Sequence, residues 1–186
     1  MRLDEIQEQL RAQRRGARRR TGKGPDLCVA LGSDHGGFEL KERLRAALVA
    51  RGIAIEDCGT HDTRAVDYPD IAVAVARRVT SGACSCGIVV DGIGIGSCMA
   101  ANKVEGIRAA TCHDEMTVRN SREHNDANVL VLGSRVLHPG FAKRLVFLWL
   151  RTPFSGGRHA LRVAKIDALD RGRHDARARE PDRPQT

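Results

Sequence analysis

The chain alternates between short aliphatic runs and longer segments with helical spacing. Leu27–Gly32, Ile53–Asp57, Gly87–Val90, Ile107–Thr111 and Val129–Leu132 are apolar runs of strand length, the first ending in a glycine. Between them, residues 37–51 carry Leu40, Leu44, Ala47 and Leu48 on one face, with Gly52 as a stop. Tyr68-Pro69 opens a helix to about Thr80, with proline near its first turn. A short helix is expected over 97–104, and one capped by Asp114 through about Arg122. Helices over 139–150 and 157–171 complete the body.

Five strands separated by helices predict an α/β fold: a doubly wound, parallel five-stranded sheet with flanking helices. Ligands in such sheets bind beyond the carboxyl ends of the strands. That rule selects Ser33–Gly37, Asp91–Gly96 and Gly133–Arg135.

The flanks are different. Residues 1–13 place Leu3, Ile6 and Leu10 on one helical face, and 14–26 are rich in Arg, Gly and Lys. The chain then divides into an arm (1–26), a body (27–172) and a charged tail (173–186). Residues 1–24 hold eight basic and three acidic residues, five of the eight net positive charges. The body therefore gives no reason to expect nucleic-acid binding. Aromatics make up 3% of the chain, so the core must be aliphatic. No apolar stretch is long enough to span a bilayer, and the start lacks the apolar segment of a secretory signal. A cytoplasmic location follows as the expectation. Cys84 and Cys86 are one residue apart, which is not zinc-binding spacing, and no metal is expected.

Candidate chemistry gathers at Asp91-Gly92-Ile93-Gly94-Ile95-Gly96. Alternate glycines let the backbone approach a ligand, and several N–H groups can then face one anion. A phosphate or a developing oxyanion would both suit this loop. Asp91 is placed to act as a base, to cap the next helix, or to be the phosphoacceptor of a receiver-like domain. His124 is either a proton-transfer group or a charge at a helix end. Arg158 and Arg162, four apart on the last helix, form either a phosphate clamp or a solvated basic face.

Further residues carry a resemblance. Val29-Ala30-Leu31-Gly32-Ser33-Asp34-His35-Gly36-Gly37-Phe38, Asp57-Cys58-Gly59-Thr60 and Asp67-Tyr68-Pro69-Asp70 resemble the ribose-5-phosphate isomerase B family, which includes the galactose-6-phosphate isomerase subunits. So do Ala100-Ala101-Asn102-Lys103-Val104, Gly106-Ile107-Arg108-Ala109, Ser121-Arg122-Glu123-His124-Asn125-Asp126-Ala127-Asn128-Val129-Leu130 and Gly156-Gly157-Arg158-His159.

The resemblance implies a Rossmann-like sheet and a homodimer or tetramer with active sites at the subunit interface. It implies aldose–ketose isomerisation of a phosphorylated sugar through an enediolate, without a cofactor. His124 would assist ring opening and Asn125 would bind a hydroxyl. Asp34 and His35 would contact substrate. The Gly92–Gly96 loop, with Ile93, Gly94, Ile95 and the adjoining Ser97, would hold the enediolate oxygens. Arg158 and Arg162 would bind phosphate from the partner subunit, with Arg135 as another contact.

Two departures stand out. Asp91 and Ile93 occupy positions where one branch of the family has Cys and Thr, and Ser97 stands where another branch has Glu. Asp91 is then the expected base. The alternative is a non-catalytic or altered-specificity phosphosugar-binding homologue, for example one for hexose 6-phosphates. Residues 1–13 resemble the encapsulation peptides that bind microcompartment shell proteins, so a location inside a bacterial microcompartment is a further expectation.

Overall fold

The computed structural model describes residues 27–178, with side chains through Asp170. The expected arm helix, its linker and its shell-protein partner lie outside the described residues.

The strands are β1 (Cys28–Ser33), β2 (Ala54–Asp57), β3 (Cys86–Asp91), β4 (Ala109–Thr111) and β5 (Val129–Gly133). The helices are α1 (Phe38–Val49), α2 (Tyr68–Thr80), α3 (Ile95–Ala101), α4 (Glu115–Glu123), α5 (Pro139–Arg151) and α6 (Arg158–Ala178). All pairings are parallel, in the order β2-β1-β3-β5-β4. The expected α/β class and five-stranded parallel sheet are therefore observed.

Alternation along the central strands divides the core into two layers. Val29, Leu31, Ile88, Val90, Leu130 and Leu132 face the layer formed with α1 and α5, which holds the fully buried Trp149. Ala30, Val89, Val129 and Val131 face Ala72, Val75 and Ala76 of α2. The aliphatic composition suffices because the central strands β1, β3 and β5 are covered on both faces. Fully burying one such Val or Leu side chain contributes about 1.5–3 kcal/mol.

Local signals place the helix ends. Asp114 accepts from the Thr117 amide at 2.7 Å in a capping box, and His138 accepts from Gly140 ahead of Pro139. Three boundaries differ from expectation. The short helix runs over 95–101 rather than 97–104, β4 begins at Ala109, and α6 continues to Ala178. The last extension takes the helix beyond residue 172, because no proline interrupts the pattern before Pro181.

α1 contributes one residue outside its apolar stripe to the interior. Lys41 is fully buried, and its Nζ donates to both Asp57 oxygens at 2.9 Å and to the Thr60 carbonyl at 2.7 Å. Gly59 and Thr60 in turn extend the pairing with β1, through Ser33 N to Gly59 O and Thr60 N to Ser33 O. Lys41 therefore anchors the segment that lies alongside the end of β1. No helix among the described residues is long and apolar enough to cross a membrane.

Candidate active site

The sheet order reverses direction between β1 and β3. β1 leads outward to β2, whereas β3 leads to the other half of the sheet. The crevice beyond their carboxyl ends is the topological switch point, where such folds bind ligands. Asp34 follows β1 and Asp91 ends β3, and the Asp34 amide donates to Val90 O at 3.2 Å. Asp34 and Asp91 thus stand on neighbouring chain segments at this point.

Three loops are tied into one floor. Ser134 N donates to Asp91 O at 2.8 Å, Arg135 N to Gly92 O at 3.0 Å, and Ser134 Oγ to Gly36 O at 2.7 Å. Close approach dictates the glycines. A Cβ on Gly37 would lie 2.2 Å from Val90 O, and one on Gly133 would lie 2.5 Å from Ile93 O. Gly94 has φ +93°, a left-handed conformation that glycine adopts without strain.

The structure corrects one expectation about the glycine loop. Its amides do not all face outward. Asp91 Oδ1 accepts from Ile93 N at 2.8 Å and also from Gly94 N, while Oδ2 accepts from Ser97 N at 3.2 Å. Three of the amides expected to hold the enediolate oxygens are therefore turned onto Asp91, which is 5% exposed. A short carboxylate at the head of a tight turn reaches the amides two and three residues on. The amides of Gly92, Ile95 and Gly96 are not taken by Asp91. Ile93 and Ile95 leave their side chains about half exposed, and Ser97 is buried with its hydroxyl unpartnered.

Asp34 is held differently. Its Oδ1 accepts from Gly37 N at 2.8 Å, and among the described residues its other oxygen has no hydrogen-bond donor. His35 is exposed and its Nδ1 is 3.4 Å from the Val66 amide. A pocket of about 300 Å³ opens here between His35, Arg43, Thr63 and Arg135. The Arg135 side chain passes over Gly92, 3.7 Å from where a Cβ would stand.

The other expected residues are elsewhere. α4 starts beyond the carboxyl end of β4 and returns to the amino end of β5. Its nine residues carry His124 and Asn125 about 13 Å away, to the opposite edge of the sheet. His124 stacks on His159 with ring centroids 4.1 Å apart, and Asn120 Nδ2 lies 2.9 Å from His124 Nδ1. Asn125 donates to Asn120 Oδ1 at 3.0 Å. Arg158 and Arg162 begin α6 beside this pair. Burial, then the neighbouring His124, Arg158 and Arg162, push the His159 imidazole below its usual range. α6 is tied to the same edge by Arg108 Nη1 to Asp167 (2.9 Å) and by Gly106 N to Asp170 (2.9 Å).

One chain therefore carries the expected site in two halves. Asp34, His35, Asp91 to Ser97 and Arg135 occupy the carboxyl edge. His124, Asn125, Arg158 and Arg162 occupy the amino edge. Beside the second half, a groove of about 500 Å³ runs along the edge strand β4, lined by Thr111, Met116, Asn120, Asn125 and Ile166. Met116 and Leu161 nearby are 79% and 72% exposed.

Sequence reasoning assigned no role to two residues at the crevice. Tyr68 packs on Gly96, where a Cβ would meet its ring at 2.6 Å, and Ser134 fastens two loops. A tyrosine at a helix start and a serine between Gly133 and Arg135 are the signals the sequence offers. No group of three or more His, Cys, Asp or Glu suited to a metal ion lies together among the described residues.

The Ribose/Galactose Isomerase family model matches residues 29–166. Ribose-5-phosphate isomerase B of Escherichia coli is 44% identical over 146 residues, covering 78% of this chain and 98% of its own. D-erythrulose-4-phosphate isomerase of Pectobacterium atrosepticum is 39% identical over 141 residues, covering 75% and 93%. The structure of Clostridium thermocellum ribose-5-phosphate isomerase B superposes with a TM-score of 0.78 at 48% identity, covering 79% of this chain and 99% of that one.

Proposed function

The chain belongs to the ribose/galactose isomerase family, and from that premise we propose that it converts ribose 5-phosphate to ribulose 5-phosphate at a site shared between two copies of the chain. The coarser activity is that of an aldose–ketose isomerase of phosphorylated sugars. The observation that carries the shared site is the separation of its two halves onto opposite edges of one sheet. A two-fold partner brings its amino edge to this chain's carboxyl edge, and the reverse at the second site. The exposed apolar residues of α4 and α6, with the groove along β4, support such a contact.

In this arrangement Arg135 and the partner's Arg158 and Arg162 hold the phosphate by charge-assisted hydrogen bonds. The partner's His124, oriented by Asn120 and His159, moves the proton that opens the sugar ring. The partner's Asn125 binds a hydroxyl. The open-chain sugar then lies along the Gly92–Gly96 loop, where the amides left free by Asp91 stabilise negative charge on the carbonyl oxygen. A carboxylate of the crevice carries a proton between C1 and C2.

The match to a tetrose-phosphate isomerase supports a second substrate, a four-carbon ketose phosphate. Solvent deuterium incorporation into tetrose, pentose and hexose phosphates, followed by NMR with the full chain, separates these readings. Fastest exchange into ribose 5-phosphate supports the proposal. Faster exchange into a tetrose or hexose phosphate replaces the substrate, and exchange into none refutes the function.

A further inference from the structure

Asp91 and Asp34 are adjacent, but their free valences differ. Both Asp91 oxygens already accept backbone N–H groups, three in all. A proton arriving at Oδ1 would displace the Ile93 or Gly94 amide and loosen the turn that shapes the loop. Asp34 uses one oxygen for Gly37 and, among the described residues, leaves the other without a donor. It is 9% exposed, so it borders the crevice without being dissolved in bulk water.

The face of Gly36 beside Asp34 carries no side chain. The point one carbon–carbon bond from Gly36 Cα, where a Cβ would stand, lies 3.4 Å from Asp34 Oδ1 and 3.7 Å from Gly92 N. No side chain stands between that carboxylate and the Gly92 amide, which Asp91 does not engage. Ser134 fixes Gly36 through its carbonyl, so the gap is preserved. A reacting carbon resting on Gly36 at van der Waals distance would have the Asp34 carboxylate on one side and an oxyanion donor on the other.

We propose that Asp34 is the catalytic base that moves the proton between C1 and C2, and that Asp91 is a positioning residue that shapes the glycine loop. This rests on the isomerase reading above. In the aldose-to-ketose direction, Asp34 takes the proton from C2. The C–H electron pair forms the C1–C2 double bond, and the carbonyl pair moves to oxygen, giving the enediolate. The protonated Asp34 then delivers its proton to C1 while the C2 hydroxyl proton passes to the C1 oxygen, leaving the C2 ketone and the C1 hydroxyl. Nothing is oxidised or reduced overall, and no co-reactant is required.

The test uses the full chain and solvent deuterium exchange into whichever sugar phosphate the wild type turns over. Asp34→Asn keeps an oxygen to accept from Gly37 while losing basicity. It is expected to lower exchange by about 10²–10⁴-fold, with calorimetric binding of the same sugar phosphate retained. Asp91→Asn is expected to lower Tm and to retain faster exchange than Asp34→Asn. If Asp34→Asn does not fold, Asp34→Ala with added formate replaces it, and exchange is expected to recover with formate concentration. Exchange by Asp34→Asn within about tenfold of wild type would overturn the assignment. So would loss of exchange in Asp91→Asn with Tm and binding unchanged, or failure of formate to restore Asp34→Ala. A wild-type chain that exchanges into no sugar phosphate refutes the isomerase reading itself, and the Asp34 proposal with it.

Discussion

Replacing Lys41 by methionine removes a charge from the interior with little change in volume. The ammonium is inaccessible to solvent, while the Asp57 side chain is 25% exposed. The two partners should therefore respond unequally. In Lys41→Met, Asp57 keeps the Gly59 amide at 3.0 Å and can hydrate. The main loss is the Thr60 carbonyl's donor together with the ion pair, about 2–4 kcal/mol. In Asp57→Asn, the buried ammonium loses its principal counter-charge and keeps Glu42 at 3.1 Å and the Thr60 carbonyl. That leaves a poorly compensated charge at a cost of about 3–5 kcal/mol. A loss of 3 kcal/mol corresponds to a drop of roughly 6–12 °C in Tm for a chain of this size. Urea denaturation followed by circular dichroism, at one fixed protein concentration, gives both values and the double-mutant coupling. Lys41→Met costing less than about 1 kcal/mol would show that the pair behaves like a surface salt bridge. Asp57→Asn costing less than Lys41→Met would refute the burial argument.

Mixing inactive Asp34→Asn chains with inactive Arg158→Ala/Arg162→Ala chains, after subunit exchange, should restore about a quarter of wild-type activity, because half the dimers then hold one intact site of two; no recovery would place all functional residues in one chain. His159 has a folded pKa below its unfolded value, so the unfolded chain binds its proton first as pH falls. Its contribution to stability is full above the ordinary histidine range near pH 6.5 and is lost as pH falls through the lower folded value. Tm of wild type should fall on acidification through this window more than Tm of His159→Gln, and parallel profiles would refute the assignment. Gly133→Ala, whose Cβ would stand 2.5 Å from Ile93 O, should displace the glycine loop and abolish turnover even where the chain still folds, as measured by circular dichroism beside the exchange assay. Retained turnover would show that the loop yields.

The sheet was legible because its strands are aliphatic runs and its helices carry caps and period-3.6 stripes. Asp114, Pro69 and Pro139 fall where elementary chemistry puts helix starts. The location of the crevice was legible for the same reason, since glycines 92, 94 and 96 follow an apolar run at once. What Asp91 does with its oxygens was not. Its neighbours in sequence are also its hydrogen-bond partners, so spacing that suggests a cradle for an outside anion equally suits a carboxylate inside the turn. The separation of His124 from Asp91 follows from the length of α4, a quantity that motif spacing does not display. Lys41 was hidden because a lysine among Leu40, Leu44 and Leu48 reads as solvated until its partner, sixteen residues on, is brought beneath it.

The floor of the crevice is fastened mainly by main-chain atoms: Ser134 to Asp91, Arg135 to Gly92, and the Gly36 carbonyl to a serine hydroxyl. With the Asp91 carboxylate holding the turn from within, its shape is largely uncoupled from the exposed side chains that rise from it. Ile93 and Ile95 can be exchanged, in descent or by design, without moving the amides beneath them. A lineage built on this frame is free to vary the side chains over the crevice while keeping its floor. The exposed side chains and the floor beneath them become separately inherited traits.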